Sequence, residues 1–251
     1  DEHTLCLAKK YDAEVFVKIN TGMNRLGFST IGETASAVKN LRVLGVFTHL
    51  SSADGDDATD RRITETQIKN FMEAELVVKN EKDVPFYAEN SAALIKYGRF
   101  FDGARIGIAL YGANPVPGDK TPLLPVMTFR AAVIAINTVK KGDFIGYSRG
   151  YRAKKDMRVA IISTGYADGL PRALSNKGMI FCNGQFLKIV GKVSMDSVAV
   201  DAGDLDVKIM DEVVVFGDEI TVTDVANRAD TLPYEILTGV SERVKRVYKN
   251  P

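Results

Sequence analysis

The sequence contains few cysteines, almost no net charge and no long apolar run. Only Cys6 and Cys182 occur among its 251 residues. They form no CxxC pair, so the sequence supports neither a disulfide framework nor a metal site, and isolated cysteines are typical of a reducing cytoplasm. The 33 basic side chains are balanced by 32 acidic ones, which gives no electrostatic reason to expect nucleic acid or an anionic membrane as a partner. No apolar stretch is long enough to cross a bilayer.

The first ten residues do not resemble the beginning of a protein. They have the pattern of the middle of an amphipathic helix, with no initiating methionine and no secretory signal pattern. We therefore expect the chain to be a piece of a longer, cytoplasmic protein.

Residues 1–114 alternate between helix-like and strand-like blocks. Helices are predicted at 4–12, 33–39 and 65–80 and from about residue 90, and strands at 13–20, 42–49, 84–88 and around 103–107. Polar residues follow each strand, which is where α/β barrels place their functional groups. Four strand–loop–helix units are half of what a closed (β/α)8 barrel needs, so the pattern predicts the second half of a TIM-type barrel.

From residue 115 onward the pattern changes to short strands separated by turns. Strands are predicted at 126–140, 158–163, 179–182, 186–190, 197–200 and 212–216. Asn183-Gly184 is typical of a hairpin turn, and a helix is predicted at 221–229. We therefore predict that residues 115–251 form a separate, mostly β domain.

The stretch from Gly103 to Gly112, where the two patterns meet, has the most unusual chemistry. It is predicted to be a short buried strand that leads into a glycine-containing turn. Arg105 is the exception in this apolar run, because a permanent cation there needs an anion, an acceptor atom or a cofactor. The N–H groups of Gly107 and Ile108 would suit a phosphate. We expect a ligand site here.

The other candidate residues are not specific when taken singly. Lys18 and Arg25 flank a glycine-bearing loop at a strand end, and most such cations are simply solvated. A lone His49 at the end of a strand is more often structural than catalytic. Further candidates with an equally plain structural explanation are Ser91 at a helix start, Tyr147 and Tyr166 beside glycines, and Met195 and Asp196 after a valine-rich segment.

Together, these segments resemble one family, the fold-type III pyridoxal-phosphate-dependent alanine racemases. The resemblance is carried, in family order along the whole chain, by residues 17–27, 48–49, 89–92, 103–112, 146–147, 164–169 and 193–196. It implies a cofactor-binding half barrel, followed by a β domain that contributes to the active site of a partner subunit. The implied reaction interconverts L-alanine and D-alanine, and D-alanine is used for peptidoglycan of the cell wall.

The resemblance also implies roles for residues at the cofactor, pyridoxal 5'-phosphate. Arg105 would donate a hydrogen bond to the pyridine nitrogen. Because a guanidinium does not readily release its proton, the ring would remain a weaker electron sink. His49 would lie against the ring, and Ser91 with the backbone of Gly107 and Ile108 would hold the phosphate.

Tyr147 matches the family's acid–base residue for the L-enantiomer. In the family this tyrosine enters the site from the second subunit, so the resemblance implies a head-to-tail homodimer with shared active sites. The ordinary pKa of a tyrosine is about 10, and Tyr147 would need nearby cations such as Arg105 to act as a base near neutrality.

The remaining matched residues surround the substrate. Arg25 would reach the phenolic oxygen of the cofactor and the substrate carboxylate. Lys18 matches a lysine that is carbamylated in many relatives and would then hold Arg25. The backbone of Met195, with Asp196 beside it, would contact the substrate carboxylate, and Tyr166 would narrow the entrance.

Two departures from the family pattern leave the function open. The lysine that bonds covalently to the cofactor belongs to a segment with no counterpart here, and racemisation needs a base on each face of the substrate, so we do not expect this chain alone to racemise. Some relatives have a tyrosine at the position of Glu242. Because a carboxylate near a phosphate would repel it, we expect Glu242 to turn away from the phosphate or to pair with a cation such as Arg243. The alternatives are a serine racemase of the vancomycin-resistance type and a non-catalytic fragment that binds the cofactor.

Overall fold

The computed structural model describes residues 2–249, which divide into two compact units. The first unit holds the chain up to Leu110 together with Asn114–Leu123, and the second holds Tyr111–Ala113 and the chain from Leu124 onward. The predicted domain boundary between residues 114 and 115 lies within residues 111–123, where the chain passes to the second unit, returns to the first and then leaves it. Within residues 2–249, no helix combines the length and the apolar character that a membrane span requires.

The first unit is a small parallel sheet with helices between its strands. Its elements are α1 (Glu2–Lys10), β1 (Glu14–Lys18), α2 (Ile31–Asn40), β2 (Arg42–Phe47), α3 (Ala58–Glu81), β3 (Phe86–Tyr87) and α4 (Ser91–Tyr97). The strand order is β1-β2-β3 and both pairings are parallel. The carboxyl ends of the strands therefore lie at one edge of the sheet, and the loops that follow them can share a site.

Helix α3 supplies much of the core of this unit. Its buried residues recur at helical spacing and are Thr64, Gln67, Ile68, Phe71, Ala74 and Val78. The ring of Phe71 packs against those of Phe86 and Phe101, with centroid separations of 5.1 and 4.8 Å. Gln67 is the unusual member of this stripe, because its polar amide is only 1% exposed and must find hydrogen-bond partners inside the protein.

The start of α4 is set by Asn90, whose side chain accepts a hydrogen bond from the N–H of Ala93 at 2.9 Å. The sequence allows either Asn90 or Ser91 to cap this helix. Because Asn90 takes the capping position, the hydroxyl of Ser91 is left to accept hydrogen bonds from the segment that follows Arg105.

The stretch from Gly103 to Gly112 is not the buried strand that we predict from the sequence. Only Gly103 makes a bridge, to Tyr87, and the chain then runs without strand pairing into a 3-10 turn over Ile108–Tyr111. Arg105 is exposed, because a segment with a sheet partner on one side only cannot bury its side chains as an interior strand does. Within the described residues, this unit thus has three paired strands rather than four.

The second unit is mostly β, as predicted. Its elements are β4 (Phe129–Val139), β5 (Phe144–Ile145), β6 (Tyr151–Arg152), β7 (Met157–Ile162), β8 (Met179–Cys182), β9 (Gln185–Lys188), β10 (Val198–Asp201), β11 (Glu212–Phe216), α5 (Val222–Ala229) and α6 (Pro233–Gly239). Six strands form an antiparallel sheet in the order β10-β7-β4-β11-β8-β9, and β5 pairs with β6. Asn183 and Gly184, with φ of 46° and 82°, make the predicted hairpin turn between β8 and β9.

Gly165 allows two loops of the second unit to pack backbone to backbone. Beside it, the N–H of Tyr166 donates to the carbonyl of Ser194 and the N–H of Ala167 donates to that of Met195, both at 3.0 Å. A Cβ on Gly165 would lie 2.3 Å from each of these two carbonyl oxygens. Glycine is therefore required here by close approach of the backbone.

We expect Gly165→Ala to destabilise the protein by about 1–3 kcal/mol, because the added methyl must push the two loops apart and stretch their hydrogen bonds. The measurement is the midpoint of urea-induced unfolding. The matched control is Gly239→Ala, since a Cβ on Gly239 would meet nothing within 4 Å, and its midpoint should be unchanged or slightly higher. Equal midpoints for the two variants would contradict the close-packing argument.

Candidate active site

Basic side chains gather where β1 and β2 end. Lys18 is the last residue of β1, and its Nζ lies 5.9 Å from the centre of the Phe47 ring at the end of β2. The guanidinium of Arg105 stacks on the same ring, with its carbon 4.6 Å from the ring centre. Phe47 is therefore an apolar platform shared by two cations from separate segments of the chain.

The Arg105 guanidinium is held by the loop that follows β2. One of its terminal nitrogens donates to the carbonyl of Thr48 at 2.6 Å and to Nδ1 of His49 at 2.9 Å. A guanidinium can only donate, so Nδ1 must carry the lone pair, and this assigns His49 as a neutral imidazole with its proton on Nε2. The contact that orients Arg105 thus also sets the tautomer of His49.

The cations of this cluster have no carboxylate partner. Among the residues that the structure describes, none forms an ion pair with Lys18, Arg25 or Arg105. Burial, followed by the charges of Arg25 and Arg105, lowers the pKa of Lys18. Burial first, and then repulsion from the three surrounding cations, lowers the pKa of His49. Such a cluster favours binding of an anion.

Although the Arg105 residue is exposed as a whole, its charged end lies against Phe47 and the carbonyl of Thr48. This partial desolvation lowers the pKa of Arg105 from its ordinary value. A guanidinium titrates so far above neutrality that it keeps its charge even so. Arg105 is therefore a fixed donor and a fixed positive charge in the cluster.

Ser91 connects the first turn of α4 to the backbone that follows Arg105. Its Oγ accepts hydrogen bonds from the N–H groups of Gly107 at 3.1 Å and Ala109 at 3.3 Å. Gly107 has no left-handed φ, and a Cβ there would meet nothing within 4 Å. The backbone conformation therefore does not require a glycine here. The glycine leaves open space beside these peptide groups, into which a ligand can approach.

A buried polar network lies behind the basic cluster, and the sequence analysis missed it. The hydroxyls of Thr21 and Thr48 are 2.7 Å apart, and that of Thr48 donates to the carbonyl of Ile19 at 3.0 Å. The amide of Gln67 donates to the carbonyl of His49 at 3.1 Å. The sequence signal for this network is the position of Gln67, a polar residue at helical spacing within the apolar stripe of α3.

Tyr147 lies in the second unit, on the loop between β5 and β6, and is 72% exposed. The two residues that follow it have φ of 52° and 55°, a conformation that is uncommon outside glycine. Asn176 secures this loop, because its side chain donates to the carbonyl of Gly150 at 2.9 Å and accepts from the N–H of Gly191 at 2.7 Å. The tyrosine ring is therefore presented outward from a loop with a defined conformation.

Arg243 joins two carboxylates in the second unit. Its Nε lies 2.8 Å from Asp168, and one of its terminal nitrogens lies 2.7 Å from Asp196. The buried Asp168 also accepts from the N–H of Gly165 at 2.9 Å. The hydrogen bond to Asp196 and the charges of both aspartates raise the pKa of Arg243. One arginine therefore ties the turn that contains Gly165 to the loop that contains Asp196.

This arrangement removes one of the two alternatives given for Glu242. Arg243 does not pair with Glu242, because the two aspartates already occupy it; Glu242 is exposed. The Asp196 carboxylate is likewise engaged with Arg243. Met195 is 52% exposed, and its N–H donates no hydrogen bond within the described part of the chain, so this N–H is free to bind a ligand.

The structure thus groups the predicted site residues by unit. In the first unit it brings Lys18, Arg25, His49 and Arg105 together and places Ser91 against the backbone of residues 107–109. The other candidates, which belong to the second unit, are Tyr147, Tyr166, Met195 and Asp196. The first unit thus offers cations that have no carboxylate partner among the described residues, an aromatic platform, a hydroxyl and open space beside Gly107. These are the features that a small phosphorylated aromatic cofactor needs.

Comparison with protein families matches both parts of the chain. Residues 3–115 match the family described as "Alanine racemase, N-terminal domain", and residues 126–248 match "Alanine racemase, C-terminal domain". The alanine racemase of Halothermothrix orenii is 36% identical in an alignment of 261 positions, which covers 97% of this chain and 68% of the relative. That of Aquifex aeolicus is 34% identical over 246 residues, which cover 98% and 69%.

Solved structures give the same relationship. Alanine racemase from D-cycloserine-producing Streptomyces lavendulae is similar with a TM-score of 0.90 at 30% identity, covering 100% of this chain and 72% of that one. Alanine racemase from Bartonella henselae, described with covalently bound pyridoxal phosphate, has a TM-score of 0.85 at 31% identity and covers 99% and 70%. These matches imply a barrel-type α/β part followed by a β domain. The chain belongs to the alanine racemase family, whose members are pyridoxal-phosphate-dependent isomerases.

Proposed function

We propose that this chain carries the cofactor-binding second half of a (β/α)8 barrel and the C-terminal β domain of an enzyme that interconverts L-alanine and D-alanine. The observation that supports this most directly is the Arg105 guanidinium, held by Thr48 and His49 among further cations that have no carboxylate partner within residues 2–249. This is the electrostatic environment that a phosphorylated pyridine ring and an amino-acid carboxylate both require.

Pyridoxal phosphate, when bound, supplies an electron sink that weakens the Cα–H bond of an amino acid. Arg105 would face the pyridine nitrogen and would keep its own proton, because a guanidinium gives up a proton far less readily than a pyridinium. His49 would support that arrangement through the lone pair on Nδ1. Ser91 with the backbone of Gly107 and Ile108 would hold the phosphate, beside the open space at Gly107. The N–H of Gly107, which donates to Ser91 in this structure, would turn to the phosphate when it binds.

Arg25 would reach the phenolic oxygen of the cofactor and the substrate carboxylate, and Lys18 would hold Arg25. The lowered pKa of Lys18 increases the fraction of neutral amine, which is the form that reacts with carbon dioxide. In that reaction Nζ of the neutral amine forms a bond to the carbon of CO2 and releases one proton. Counted from the ammonium form, two protons leave in all, so a cation becomes a carbamate anion. A carbamate on Lys18 would compensate the charge of Arg25 and orient it toward the substrate carboxylate.

The second unit would complete the site of a partner copy in a head-to-tail homodimer. Tyr147 would take and return the proton of the L-enantiomer, and its 72% exposure leaves it accessible to a partner. The free N–H of Met195, with Asp196 beside it, would contact the substrate carboxylate, and Tyr166 would narrow the entrance. The base on the opposite face of the substrate would be a lysine outside the segments matched here.

The biological role that we propose is supply of D-alanine for peptidoglycan in the cytoplasm. Cys6 and Cys182 are free thiols, which agrees with a reducing compartment. Alanine is proposed as the substrate because both matched domains and the relatives described above carry that name.

Arg105→Gln is expected to weaken pyridoxal phosphate binding by about ten- to a hundredfold, since a charged hydrogen-bond donor at the ring is worth about 1.5–3 kcal/mol. Binding can be measured by titrating the chain with the cofactor and following its absorbance. The control is Arg99→Gln, which removes an exposed arginine of the same unit and should leave the affinity unchanged. Equal affinities for wild type and Arg105→Gln would sink the proposed cofactor site.

Lys18 is expected to carry a carbamate in solutions that contain bicarbonate. The measurement is 13C NMR with labelled bicarbonate, in which wild type should show a carbamate signal and Lys18→Arg should not, because an arginine side chain stays protonated and does not add CO2. Lys39→Arg, at an exposed lysine of the same unit, is the control and should keep the signal. A wild type without the signal would remove Lys18 from the proposed mechanism.

In the enzyme that contains this chain, Tyr147→Phe is expected to lower the rate of L-to-D conversion by about 10²- to 10⁴-fold, because it deletes a general acid–base group. Binding of the cofactor should be nearly unchanged, since Tyr147 does not hold it. The assay is loss of optical rotation from L-alanine. The control is Tyr248→Phe, at a residue that is 88% exposed, and a Tyr147→Phe rate close to that of the control would contradict the assignment.

A further inference from the structure

We propose that Gln67 is a positioning residue for the cofactor site. Its amide fixes the loop after β2 and thereby holds His49 and Arg105 in the arrangement that receives the cofactor. The inference rests on the proposed function, since the cluster that Gln67 positions is the proposed cofactor site. The network itself, however, consists only of groups within this chain.

Both ends of the Gln67 amide form hydrogen bonds with the loops that follow β1 and β2. Its Oε1 accepts from both the N–H and the Oγ of Ser51, each at 2.9 Å. Its Nε2 donates to the carbonyl of His49 at 3.1 Å and to the hydroxyl of Thr21 at 3.3 Å. A peptide N–H can only donate and a carbonyl can only accept, so these contacts assign a single orientation to the amide.

The hydroxyls connected to Gln67 form a chain with one direction. Thr48 uses its proton on the carbonyl of Ile19, so the hydroxyl of Thr21 must donate to Thr48 across their 2.7 Å contact. The lone pairs of Thr21 are then available to accept from Nε2 of Gln67. The network links the loops after β1 and β2 to α3, and it depends on a donor at one end of the residue 67 side chain.

The same loop carries the groups that hold Arg105. Gln67 binds the main-chain carbonyl of His49, while the ring of His49 and the carbonyl of Thr48 bind the guanidinium. A displacement of the His49 peptide therefore displaces both acceptors of Arg105. Because Gln67 is only 1% exposed, water cannot replace the amide without a local rearrangement.

Two substitutions distinguish the role of the hydrogen-bond donor of Gln67 from that of the volume of its side chain. Gln67→Leu keeps a similar volume but leaves the His49 carbonyl and the Ser51 N–H without this partner. Gln67→Glu keeps the shape and the acceptor and loses the donor, so an anionic oxygen would face the carbonyl of His49. Burial raises the pKa of a carboxyl, and its protonation at lower pH would restore a donor.

The histidine content of the chain provides a direct measurement without cofactor. Only two histidines occur, His3 and His49, so 15N NMR of selectively labelled protein shows two imidazoles. In wild type we expect an unprotonated Nδ1 at His49 and a pKa below the ordinary value of a histidine, since burial and the charges of Arg105, Arg25 and Lys18 all act on it.

In Gln67→Leu we expect the pKa of His49 to rise toward the ordinary value of a histidine, because the ring is released from Arg105 and becomes more exposed. The affinity for pyridoxal phosphate should fall by about tenfold. Gln67→Glu should show the same defects near neutral pH and recover affinity, relative to wild type at the same pH, on acidification. A change in global stability alone would move neither the tautomer nor the pKa of His49 in the folded protein.

Thr64→Val is the matched control. Thr64 lies one turn earlier on the same buried face of α3, is 0% exposed, and its hydroxyl has no hydrogen-bond partner among residues 2–249. Its replacement should leave the His49 titration and the cofactor affinity unchanged.

An unchanged His49 pKa and tautomer in folded Gln67→Leu would overturn the positioning role, whatever the affinity. If Gln67→Leu does not fold, Gln67→Glu decides, and a pH dependence of affinity equal to that of wild type would overturn it. A wild type that binds no pyridoxal phosphate, together with a shifted His49 in Gln67→Leu, would remove the proposed function while leaving the positioning of His49 and Arg105 by Gln67 established.

Discussion

The hydrogen bonds from one guanidinium nitrogen of Arg105 to the carbonyl of Thr48 and the ring of His49 organise the first unit. They hold a permanent cation at the edge where β1 and β2 end, stacked on Phe47. Because no carboxylate among the described residues pairs with it, the positive charge stays available for a ligand. The lowered pKa values of His49 and Lys18 follow first from burial and then from this concentration of charge.

A cluster of like charges costs folding free energy. The buried hydrogen-bond network behind it holds in place the loops that carry these charges. The hydroxyls of Thr21 and Thr48 and the amide of Gln67 satisfy one another and the loop backbone. In such a network each group has a fixed donor or acceptor role, so the loops cannot shift independently. The rigidity of the site therefore derives from α3 as much as from the strands that carry the cations.

The second unit uses a different means to position its loops. Where the first unit relies on buried side-chain amides and hydroxyls, the second brings two backbone segments into direct contact at Gly165. Arg243 then ties the same two segments through Asp168 and Asp196. Tyr147 lies on a loop held by Asn176. The loop therefore keeps one conformation while the Tyr147 side chain is exposed. Close approach and ion pairing hold the backbone of Tyr166 and Met195, and hydrogen bonds from Asn176 hold the loop of Tyr147.

The sequence by itself determined the local features. The Asn183-Gly184 hairpin, the alternation of helices with strands and the change to short strands all depend on neighbouring residues. The co-linear motifs identified the family. Tertiary structure decided what depends on distant partners. The segment around Arg105 has a sheet neighbour on one side only, so it is exposed rather than a buried strand. Arg243 binds Asp168 and Asp196 rather than Glu242, and Gln67 reaches the loop of His49, because contacts between residues far apart in sequence are set by packing that no local pattern encodes.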